Sequence, residues 1–582
     1  MSIEISLNDK YTATDGRVFL SGTQALVRLP MVQMRRDRDA GLNTATFISG
    51  YRGSPLGSYD LQLMRAKKFL DPLNIDFQPG LNEDLAATAI WGSQQVHLSE
   101  GANRDGVLGL WYGKGPGVDR SGDALKHGNA AGSSAHGGVL AFAGDDHTCK
   151  SSSIPHQSDH AFISALMPML YPSSIHEFIE IGLLGIAMSR YSGCWIGYKV
   201  ISETVETTSV VDLSQESRQF VLPQDFEMPQ DGLNLRWPDA PLAQDERLQE
   251  QKGYAAIAFA RANGVDLVTM DSPKARFGIV ASGKAYEDVV QALIDLGIGE
   301  TEREVIGLRL YKVRMPWPLE PEGIRRFSEG LEEVLIVEER REIIENQIKQ
   351  QLFSWRSDVR PRIVGKFDEE DRPFLSLSAG LNVSSVARAL ADRLLRLDLP
   401  EGLANRISQK LNVLEHLQAE GQKHQAPVSR LPHFCAGCPH NTSTRVPEGS
   451  KAMAGIGCHF MSQWMDRNTE TFTHMGAEGV PWSAIGRYTE EKHRFVNLGD
   501  GTYFHSGSAT HRSVESPPSP APTKIDRKTP HSSRTQRLHA LTILLWPSWE
   551  SLVKIVQGFG NPLWNSVEND ANPIGLASPN LR

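Results

Sequence analysis

The tripeptide Gly499-Asp500-Gly501 places one carboxylate between two glycines, directly after an apolar run that ends at Leu498. A carboxylate at a strand end offers the hard oxygen ligand that Mg²⁺ prefers, and flanking glycines allow backbone amides to approach a phosphate closely. Glycine-flanked aspartates are also ordinary turn residues. The tripeptide therefore indicates either a loop that binds a metal and a diphosphate or a simple strand-end turn.

A second group of reactive side chains combines Cys435 and Cys438 with the later dipeptide Cys458-His459. Structural zinc sites usually show two close ligand pairs, and adjacent residues do not easily point both side chains at one ion. A redox dithiol of the thioredoxin kind would follow a strand that is not recognisable here. Zinc binding and dithiol chemistry are therefore the less favoured interpretations of these residues.

Glu83 follows Asn82 and precedes small residues at helical spacing, at Ala86, Ala87 and Gly92. One interpretation is purely structural, because asparagine is a good N-cap and acids in a first helical turn are favoured by the helix dipole. The other interpretation is a carboxyl group held at a helix start for chemistry. The segment alone does not decide between them.

Seven separated motifs resemble the indolepyruvate:ferredoxin oxidoreductases in their large fused form, a branch of the thiamine-diphosphate-dependent 2-oxoacid oxidoreductases. They occupy residues 47–57, 81–87, 111–120, 435–440, 455–459, 474–479 and 497–507. The resemblance extends over about residues 10–508. Several motifs in the right order are far more specific than any one of them.

The resemblance implies thiamine diphosphate and Mg²⁺ as cofactors. The residues expected to bind the cofactor are Glu83, Gly437, Cys438, His440, Gly499, Asp500 and Gly501. In the family a glutamate hydrogen-bonds N1′ of the aminopyrimidine and promotes the imino tautomer, whose 4′-nitrogen deprotonates C2 of the thiazolium ring. Glu83 matches that glutamate, and Asp500 would bind the Mg²⁺ that bridges the two phosphates. The loop around Cys438 would pack near the thiazolium ring.

Arg52 is the second expected catalytic residue, because a guanidinium group can bind a 2-oxoacid carboxylate through two hydrogen bonds. It lies in the glycine-rich loop 50–57. A polar segment, 145–159, contains His147 and His156 and follows another expected strand. In the family the equivalent loop faces the active site, although these histidines could equally form a surface loop.

The family transfers electrons from the decarboxylated substrate through iron-sulfur clusters to ferredoxin and passes the acyl group to coenzyme A. The expected partners are therefore a 2-oxoacid, coenzyme A and ferredoxin, with a homo-oligomer as the expected assembly. A cluster needs four thiolate ligands, and the five cysteines here contain no cluster-binding motif. The smaller catalytic module expected after the diphosphate domain has no counterpart in the 81 residues that follow Gly501.

Three functions are consistent with these observations. The first is oxidative decarboxylation of an aryl 2-oxoacid such as indolepyruvate to its acyl-coenzyme A. The second is a truncated, inactive homologue that keeps weak thiamine diphosphate binding. The third is a non-oxidative thiamine-dependent decarboxylase, which needs no cluster.

Composition limits the class of protein. The 582 residues are 40% apolar and 22% charged, which is typical of a globular protein of several domains. A net charge of −9 with scattered Lys and Arg argues against nucleic acid binding. Five unevenly spaced cysteines favour a reducing, cytoplasmic location, and the polar start does not predict a signal peptide. The apolar stretch 541–556 is interrupted by proline and charges, which argues against a membrane span.

Short apolar runs, among them 44–49, 139–143, 305–310 and 333–337, alternate with helix-like segments such as 386–395. This alternation predicts an α/β fold with doubly wound parallel sheets. The resemblance adds thiamine-diphosphate-binding-type modules and a transketolase C-terminal-like domain. The expected domains are a pyrimidine-binding-type domain at 10–215, a connecting segment at 216–275, the transketolase C-terminal-like domain at 276–365, a second connecting segment at 366–430, a partial diphosphate-binding domain at 431–508 and an aberrant tail at 509–582.

The tail 509–582 is predicted to be poorly ordered and not the native continuation of the diphosphate domain. The family places an asparagine, a second metal ligand, roughly 25 to 30 residues after its Gly-Asp-Gly, and residues 525–531 contain none. Five prolines between residues 508 and 540 oppose helix and strand formation. The change in composition is what a reading-frame shift produces, although Asp526 could substitute as an oxygen ligand.

Overall fold

A computed structural model provides the fold and divides the chain into two compact units, Met1–Gln425 and Ala426–Arg582. It describes residues 6–378, 380–423, 430–507 and 552–555. All five cysteines are free thiols. Within the described ranges, none of the helices combines the length and apolar character that crossing a membrane requires.

The first part of unit 1 contains eight strands and eleven helices within residues 9–262. In chain order these are α1 (Asp9–Thr12), β1 (Arg17–Ser21), α2 (Gly22–Asp39), β2 (Thr44–Gly50), α3 (Tyr59–Leu70), β3 (Ile75–Phe77), α4 (Glu83–Gln94), β4 (Gly106–Lys114), α5 (Gly115–Arg120), α6 (Gly122–Ala131), β5 (Val139–Asp145), α7 (Asp159–Ser164), β6 (Met169–Leu170), α8 (Phe178–Ser192), β7 (Ile196–Ile201), α9 (Ser202–Val205), β8 (Thr208–Asp212), α10 (Pro241–Arg247) and α11 (Gly253–Ala262).

Six of these strands form a parallel sheet in the order β3-β2-β4-β5-β7-β6. Its central strands β4 and β5 are buried almost throughout, as expected for strands covered on both faces. Leu110 and Phe142 pack with α2, α3 and α8 on one face, whereas Trp111 and Ala141 pack with α4 and α6 on the other. The predicted α/β class with a doubly wound parallel sheet is confirmed for this part of the chain.

A separate antiparallel ribbon joins β1 to β8, with Arg17 opposite Asp212 and Ser21 opposite Thr208. Arg28 of α2 reinforces this closure, because its guanidinium forms a salt bridge with Glu216 at 2.6 Å just beyond β8. Arg28 is fully buried. The first module is therefore closed by contacts between its beginning and its end.

The second part of unit 1 builds another sheet, in the order β13-β12-β10-β11-β9, in which only β9 is antiparallel to its neighbour. Its elements are β9 (Leu267–Met270), β10 (Phe277–Ser282), α12 (Lys284–Asp295), α13 (Glu300–Ile306), β11 (Leu308–Val313), α14 (Pro321–Ser328), β12 (Glu333–Val337), α15 (Ile344–Phe353), β13 (Arg362–Val364), α16 (Val383–Leu394) and α17 (Glu401–Lys423). Helices α12, α16 and α17 cover one face, and α14 and α15 cover the other.

Two details differ from the sequence-based expectations. The strand predicted to begin at Val305 begins at Leu308, because Gly307 has φ +74° and ends helix α13. Within the expected connecting segment 366–430, helix α16 matches the helix predicted at 386–395, whereas helix α17 was not predicted. Both contribute buried residues, such as Leu390 and Ile407, to the core of this sheet. The boundary expected at residue 365 therefore falls inside a packed module.

Unit 2 contains a smaller sheet in the order β15-β14-β16-β17. Its elements are α18 (His440–Ser443), β14 (Ala452–Ala454), β15 (Thr469–Phe472), α19 (Trp482–Tyr488), β16 (Phe495–Gly499), α20 (Asp500–Thr502) and β17 (Leu552–Ile555). Strands β14, β15 and β16 are parallel, and β17 pairs antiparallel with β16. Apart from β17, the predicted aberrant tail 509–582 lies outside the described residues, so this prediction stays a prediction.

Candidate functional site

Glu83 is the first residue of α4, and only 7% of its surface is exposed. The predicted cap is confirmed, because the Asn82 side chain accepts a hydrogen bond from the backbone N–H of Leu85 at 3.1 Å. The indole N–H of Trp111 donates to the backbone carbonyl of Glu83 at 2.9 Å. The start of this helix is therefore fixed both to its own cap and to the central strand β4.

Gly117 makes room for the Glu83 side chain. A Cβ atom built on Gly117 would lie 2.5 Å from Cγ and 2.7 Å from Oε1 of Glu83, which is closer than any real contact of that kind. The motif at 111–120 thus supplies both a hydrogen bond to the Glu83 backbone and the space for its carboxyl group. Sequence analysis recognised this motif without assigning Gly117 a role, since the contact joins residues of different helices.

Arg52 is exposed and follows β2 at the carboxyl edge of the sheet. The segment that leads into α4 runs beside this edge, because the N–H of Gly80 donates to the carbonyl of Gly50 at 2.9 Å. Ligands of open α/β sheets bind beyond the carboxyl ends of the strands. The structure therefore brings the Arg52 loop and the approach to Glu83 to the edge where a ligand would bind.

A chain of ionisable groups extends from buried Asp145 at the end of β5 through buried His156 to exposed Asp119. The Nε2 atom of His156 lies 2.7 Å from the carboxylate of Asp119, and its Nδ1 atom lies 3.2 Å from that of Asp145. Asp145 also accepts hydrogen bonds from the backbone N–H and the hydroxyl of Ser158, at 2.9 and 2.6 Å. Burial alone would raise the pKa of Asp145, but the hydrogen bond from His156 and the charge of Lys199 hold it well below its usual range.

A second pair joins the two sheets of unit 1. His147 Nδ1 lies 2.8 Å from the carboxylate of Glu339, which also accepts a hydrogen bond from the Tyr171 hydroxyl at 3.1 Å. Burial raises the pKa of Glu339, but the charge and hydrogen bond of His147, together with the charges of Lys284 and Lys199, lower that pKa to about 2. Sequence analysis included His147 but missed Glu339, because 192 residues separate the two.

The pKa of His156 predicts a pH-dependent contribution to stability. Burial lowers this pKa, but the hydrogen bonds with Asp119 and Asp145 raise it from 6.5 to about 9. Since the folded-state value lies above the unfolded one, the stabilisation is fully present below pH 6.5 and is lost as the pH rises through about 9. The contribution is on the order of 3 kcal/mol.

We therefore expect His156→Gln to lower the free energy of unfolding more near pH 6 than above pH 9, as measured by urea denaturation. His160→Gln is the matched control, because His160 is exposed in the first turn of helix α7, which follows this loop. A deficit in His156→Gln that stays constant between these pH values would contradict the prediction.

In unit 2 the predicted motif Gly499-Asp500-Gly501 lies at the end of β16. Gly499 ends the strand, and Asp500 opens a short helical turn with its side chain half-buried. The hydroxyl of Thr502 donates to the carbonyl of Ile456 at 3.0 Å. This contact holds the aspartate loop against the glycine-rich segment that follows β14, so the motifs at 455–459 and 497–507 adjoin.

His459 and Glu478 form a buried pair beside this loop. Each is only 1% exposed, and His459 Nε2 lies 3.5 Å from Glu478 Oε1. Two glycines shape the pair: a Cβ atom on Gly455 would lie 2.0 Å from Glu478 Oε1, and one on Gly457 would lie 2.8 Å from His459 Cε1. Sequence analysis considered His459 only for zinc and assigned Glu478 no role, although both lie in recognised motifs.

Several buried polar atoms of unit 2 have no hydrogen-bond partner among the described residues. They are His440 Nδ1, Ser443 Oγ, His459 Nε2, Arg467 Nε, Glu478 Oε1, Glu478 Oε2 and Asn497 Oδ1. Unpartnered buried polar atoms are costly and rare in native proteins, and a bound ligand or water is the usual explanation. Those of His459 and Glu478 lie beside Gly455 and Gly457, an arrangement typical of a site for a polar ligand.

The predicted loop at 435–440 begins with a turn in which the N–H of Cys438 donates to the carbonyl of Cys435 at 3.0 Å. Gly437 has φ +75°, a conformation that favours glycine, and Cys438 is partly exposed. His440 is buried and stacks on Phe434, with its ring 6.0 Å from that of His459. Burial, followed by the charge of His459, lowers the pKa of His440 to about 4.

The expected cofactors fit these residues unequally. The glycines and the unpartnered polar atoms of unit 2 suit a diphosphate-containing molecule, and the space at Gly117 suits a functional carboxyl group at Glu83. Asp500 could supply one oxygen ligand to a metal. The described part of the chain nevertheless contains no group of three or more His, Cys, Asp or Glu side chains that could hold a metal ion. The residues thus fit thiamine diphosphate and do not by themselves assemble a magnesium site.

Comparison with known proteins gives a consistent family. Residues 266–424 match the model of the indolepyruvate ferredoxin oxidoreductase middle domain. Indolepyruvate oxidoreductase subunit IorA of Thermococcus kodakarensis is 28% identical over 252 residues, which cover 40% of this chain and 35% of the relative. The IorA subunit of Methanothermobacter marburgensis is 22% identical over 526 residues, covering 86% of this chain and 74% of the relative.

A solved structure with a similar chain is a 2-oxoglutarate:ferredoxin oxidoreductase from Magnetococcus marinus, with 12% identity and a TM-score of 0.48 over 65% of this chain and 66% of that one. The match to the first of the IorA relatives spans about a third of that relative's length. The domain match in the second sheet and the IorA similarity agree with the motifs of the sequence. Together these findings support a protein of the indolepyruvate:ferredoxin oxidoreductase family.

Proposed function

We propose that this chain binds thiamine diphosphate and takes part in the oxidative decarboxylation of an aryl 2-oxoacid such as indolepyruvate. Coenzyme A would accept the acyl group and ferredoxin the electrons. The observation that carries the proposal is the cluster of unpartnered buried polar atoms at His440, His459 and Glu478, beside the Gly-Asp-Gly loop. Without a ligand, burying these polar atoms would cost free energy, because they would lose their hydrogen bonds to water without gaining a partner.

Glu83 would act on the aminopyrimidine end of the cofactor. Its carboxyl group is buried, its backbone is fixed by Trp111, and Gly117 leaves space beside it. A carboxyl group in this setting can form a hydrogen bond with a ring nitrogen and keep the shared proton away from bulk water. When bound, thiamine diphosphate supplies the carbon nucleophile that attacks the 2-oxo group of the substrate.

Arg52 would bind the substrate carboxylate. Its exposed guanidinium lies in a loop at the carboxyl edge of the first sheet, where ligands of such sheets bind. Asp500 would contribute one carboxylate oxygen to a Mg²⁺ ion at the diphosphate, while Gly499 and Gly501 keep the backbone open to a phosphate. We further propose a cytoplasmic location, since all five thiols are free, and a homo-oligomer, which only the resemblance to the family suggests.

The proposal is tested by titrating the purified chain with thiamine diphosphate and Mg²⁺ in a calorimeter. We expect saturable binding that Asp500→Asn weakens by about tenfold, in line with the loss of one charged ligand. Asp466→Asn is the matched control, because Asp466 is an exposed aspartate of the same unit.

Parallel assays separate the three functions considered for this chain. Indolepyruvate-dependent reduction of ferredoxin in the presence of coenzyme A supports the proposal. Release of carbon dioxide without ferredoxin reduction would identify a non-oxidative decarboxylase. Cofactor binding without either activity would identify an inactive homologue, and the absence of any binding would refute the proposal altogether.

A further inference from the structure

We propose that His459, oriented by Glu478, is an anion-binding residue that donates a hydrogen bond from Nδ1 to a phosphate group held at the Gly499–Gly501 loop. This inference rests on the proposed function and specifies how unit 2 would recognise a diphosphate. Glu478 would be a positioning residue, because its carboxylate contacts the imidazole and not the ligand.

The pair formed by His459 and Glu478 is unusual because both of its ionisable side chains are buried. His459 and Glu478 are each 1% exposed, and neither oxygen of Glu478 has a hydrogen-bond partner among the described residues. A carboxylate in such a place needs a positive or hydrogen-bonding neighbour. Among the ion pairs of the described chain, Glu478 has His459 as its neighbour, with 3.5 Å between Nε2 and Oε1. Nε2 is therefore the ring atom assigned to Glu478.

The opposite side of the imidazole ring faces the glycine motifs. A Cβ atom built on Gly457 would lie 2.9 Å from His459 Nδ1, and one built on Gly499 would lie 3.6 Å from the same atom. Because both positions lack a side chain, Nδ1 borders the space at the start of the Gly-Asp-Gly loop. A ligand group that approaches this loop therefore meets Nδ1 before it meets Glu478.

The chemistry of the two ring nitrogens decides the ligand class. A carboxylate accepts hydrogen bonds only, so it keeps a proton on Nε2 and offers a counter-charge to a protonated ring. A protonated ring presents its second N–H from Nδ1. Phosphate oxygens accept such charge-assisted hydrogen bonds, and the flanking glycines permit close approach. His440 lies with its ring 6.0 Å away and cannot replace Glu478 as a counter-charge, because imidazole carries no negative charge.

The test uses two substitutions that each preserve one ring nitrogen. The amide nitrogen of His459→Asn occupies roughly the place of Nδ1, whereas that of His459→Gln occupies roughly the place of Nε2. The full chain is titrated calorimetrically with inorganic diphosphate and, separately, with thiamine diphosphate, each with Mg²⁺. We expect His459→Gln to weaken both ligands by about tenfold to a hundredfold, and His459→Asn to retain most of the affinity.

Glu478→Gln tests the positioning role, since an amide can still contact Nε2 but offers no counter-charge. We expect it to weaken inorganic diphosphate by about tenfold. His493→Asn is the control, because His493 is an exposed histidine of the same unit, and its affinity should match that of the unmodified chain. Thermal unfolding of each variant identifies any that loses its fold, and the Asn and Gln variants serve as mutual controls.

The possible outcomes separate this inference from the proposed function. If the unmodified chain binds neither ligand, the proposed function fails and this inference falls with it. If it binds both and the two His459 variants bind equally well, only the assignment of Nδ1 is overturned. If His459→Asn loses more affinity than His459→Gln, the ring is oriented the other way and the inference is wrong.

Discussion

Glu83→Gln is expected to slow proton exchange at C2 of bound thiamine diphosphate by at least about a hundredfold while leaving the chain folded. Glutamine has nearly the shape of glutamate, and the cap at Asn82 and the hydrogen bond from Trp111 involve atoms that the substitution does not change. An amide cannot hold the proton that the pyrimidine nitrogen requires. The measurement is loss of the C2 proton signal in deuterated buffer, followed by NMR.

Asp84→Asn is the matched control for this substitution, because Asp84 is the next acid of the same helical turn and pairs with Arg120 at the surface. Gly117→Ala provides an independent arm: its methyl group would displace the Glu83 carboxyl group and should slow exchange as well. Gly122→Ala, where the added carbon meets open space, should not. Undiminished exchange in Glu83→Gln would remove Glu83 from the catalytic assignment.

The largest effect on stability is expected from Arg393→Leu in helix α16, which packs against the second sheet. The guanidinium of Arg393 is fully buried and contacts both oxygens of Glu333, at 2.6 and 2.5 Å, and Glu369 at 2.8 Å. Removing it leaves the Glu333 carboxylate buried at 7% exposure without this partner. Breaking a buried pair in this way costs about 3–5 kcal/mol of unfolding free energy, which urea denaturation would measure.

Arg396→Leu offers a comparison on the same helical segment. Arg396 is 40% exposed and contacts Glu369 at 2.7 Å, so its loss should cost at most about 1 kcal/mol. The double variant Arg393→Leu, Glu333→Leu should recover much of the lost stability, because the two charges that lose a partner, Arg362 at 57% and Glu369 at 28% side-chain exposure, can be solvated. Equal destabilisation by Arg393→Leu and Arg396→Leu would show that burial does not determine the strength of this interaction.

Strands in this fold were predictable where the apolar signal was continuous. The runs at 44–49, 139–143 and 333–337 coincide with β2, β5 and β12, because central strands of parallel sheets are buried on both faces. Helix α17 was missed for the opposite reason. Its 23 residues are largely polar and bury only a few side chains, among them Leu403 and Ile407, so composition suggested a connection.

The residues of the candidate site also fall into two groups, those that the sequence could identify and those that it could not. Residues in local motifs, such as Glu83 and Asp500, could be chosen from sequence because glycine and acid spacing is visible within a few positions. The residues that contact the predicted site residues in the folded chain could not be chosen from sequence. Gly117 contacts Glu83 across two helices, and Glu339 reaches His147 across two sheets, so only the tertiary fold reveals them.

The pairing of β1 with β8 has a consequence for the order in which the protein forms during synthesis. The ribbon joins Arg17–Ser21 of β1 to Thr208–Asp212 of β8. The ribosome therefore synthesises β1 about 190 residues before the strand with which β1 pairs. At typical elongation rates this interval lasts roughly 10 to 40 seconds. During that time β1 presents unpaired backbone groups, which are templates for pairing with other chains. We therefore expect nascent chains halted before Thr208 to be more susceptible to proteolysis at β1, and to need chaperones more, than those halted after Glu216.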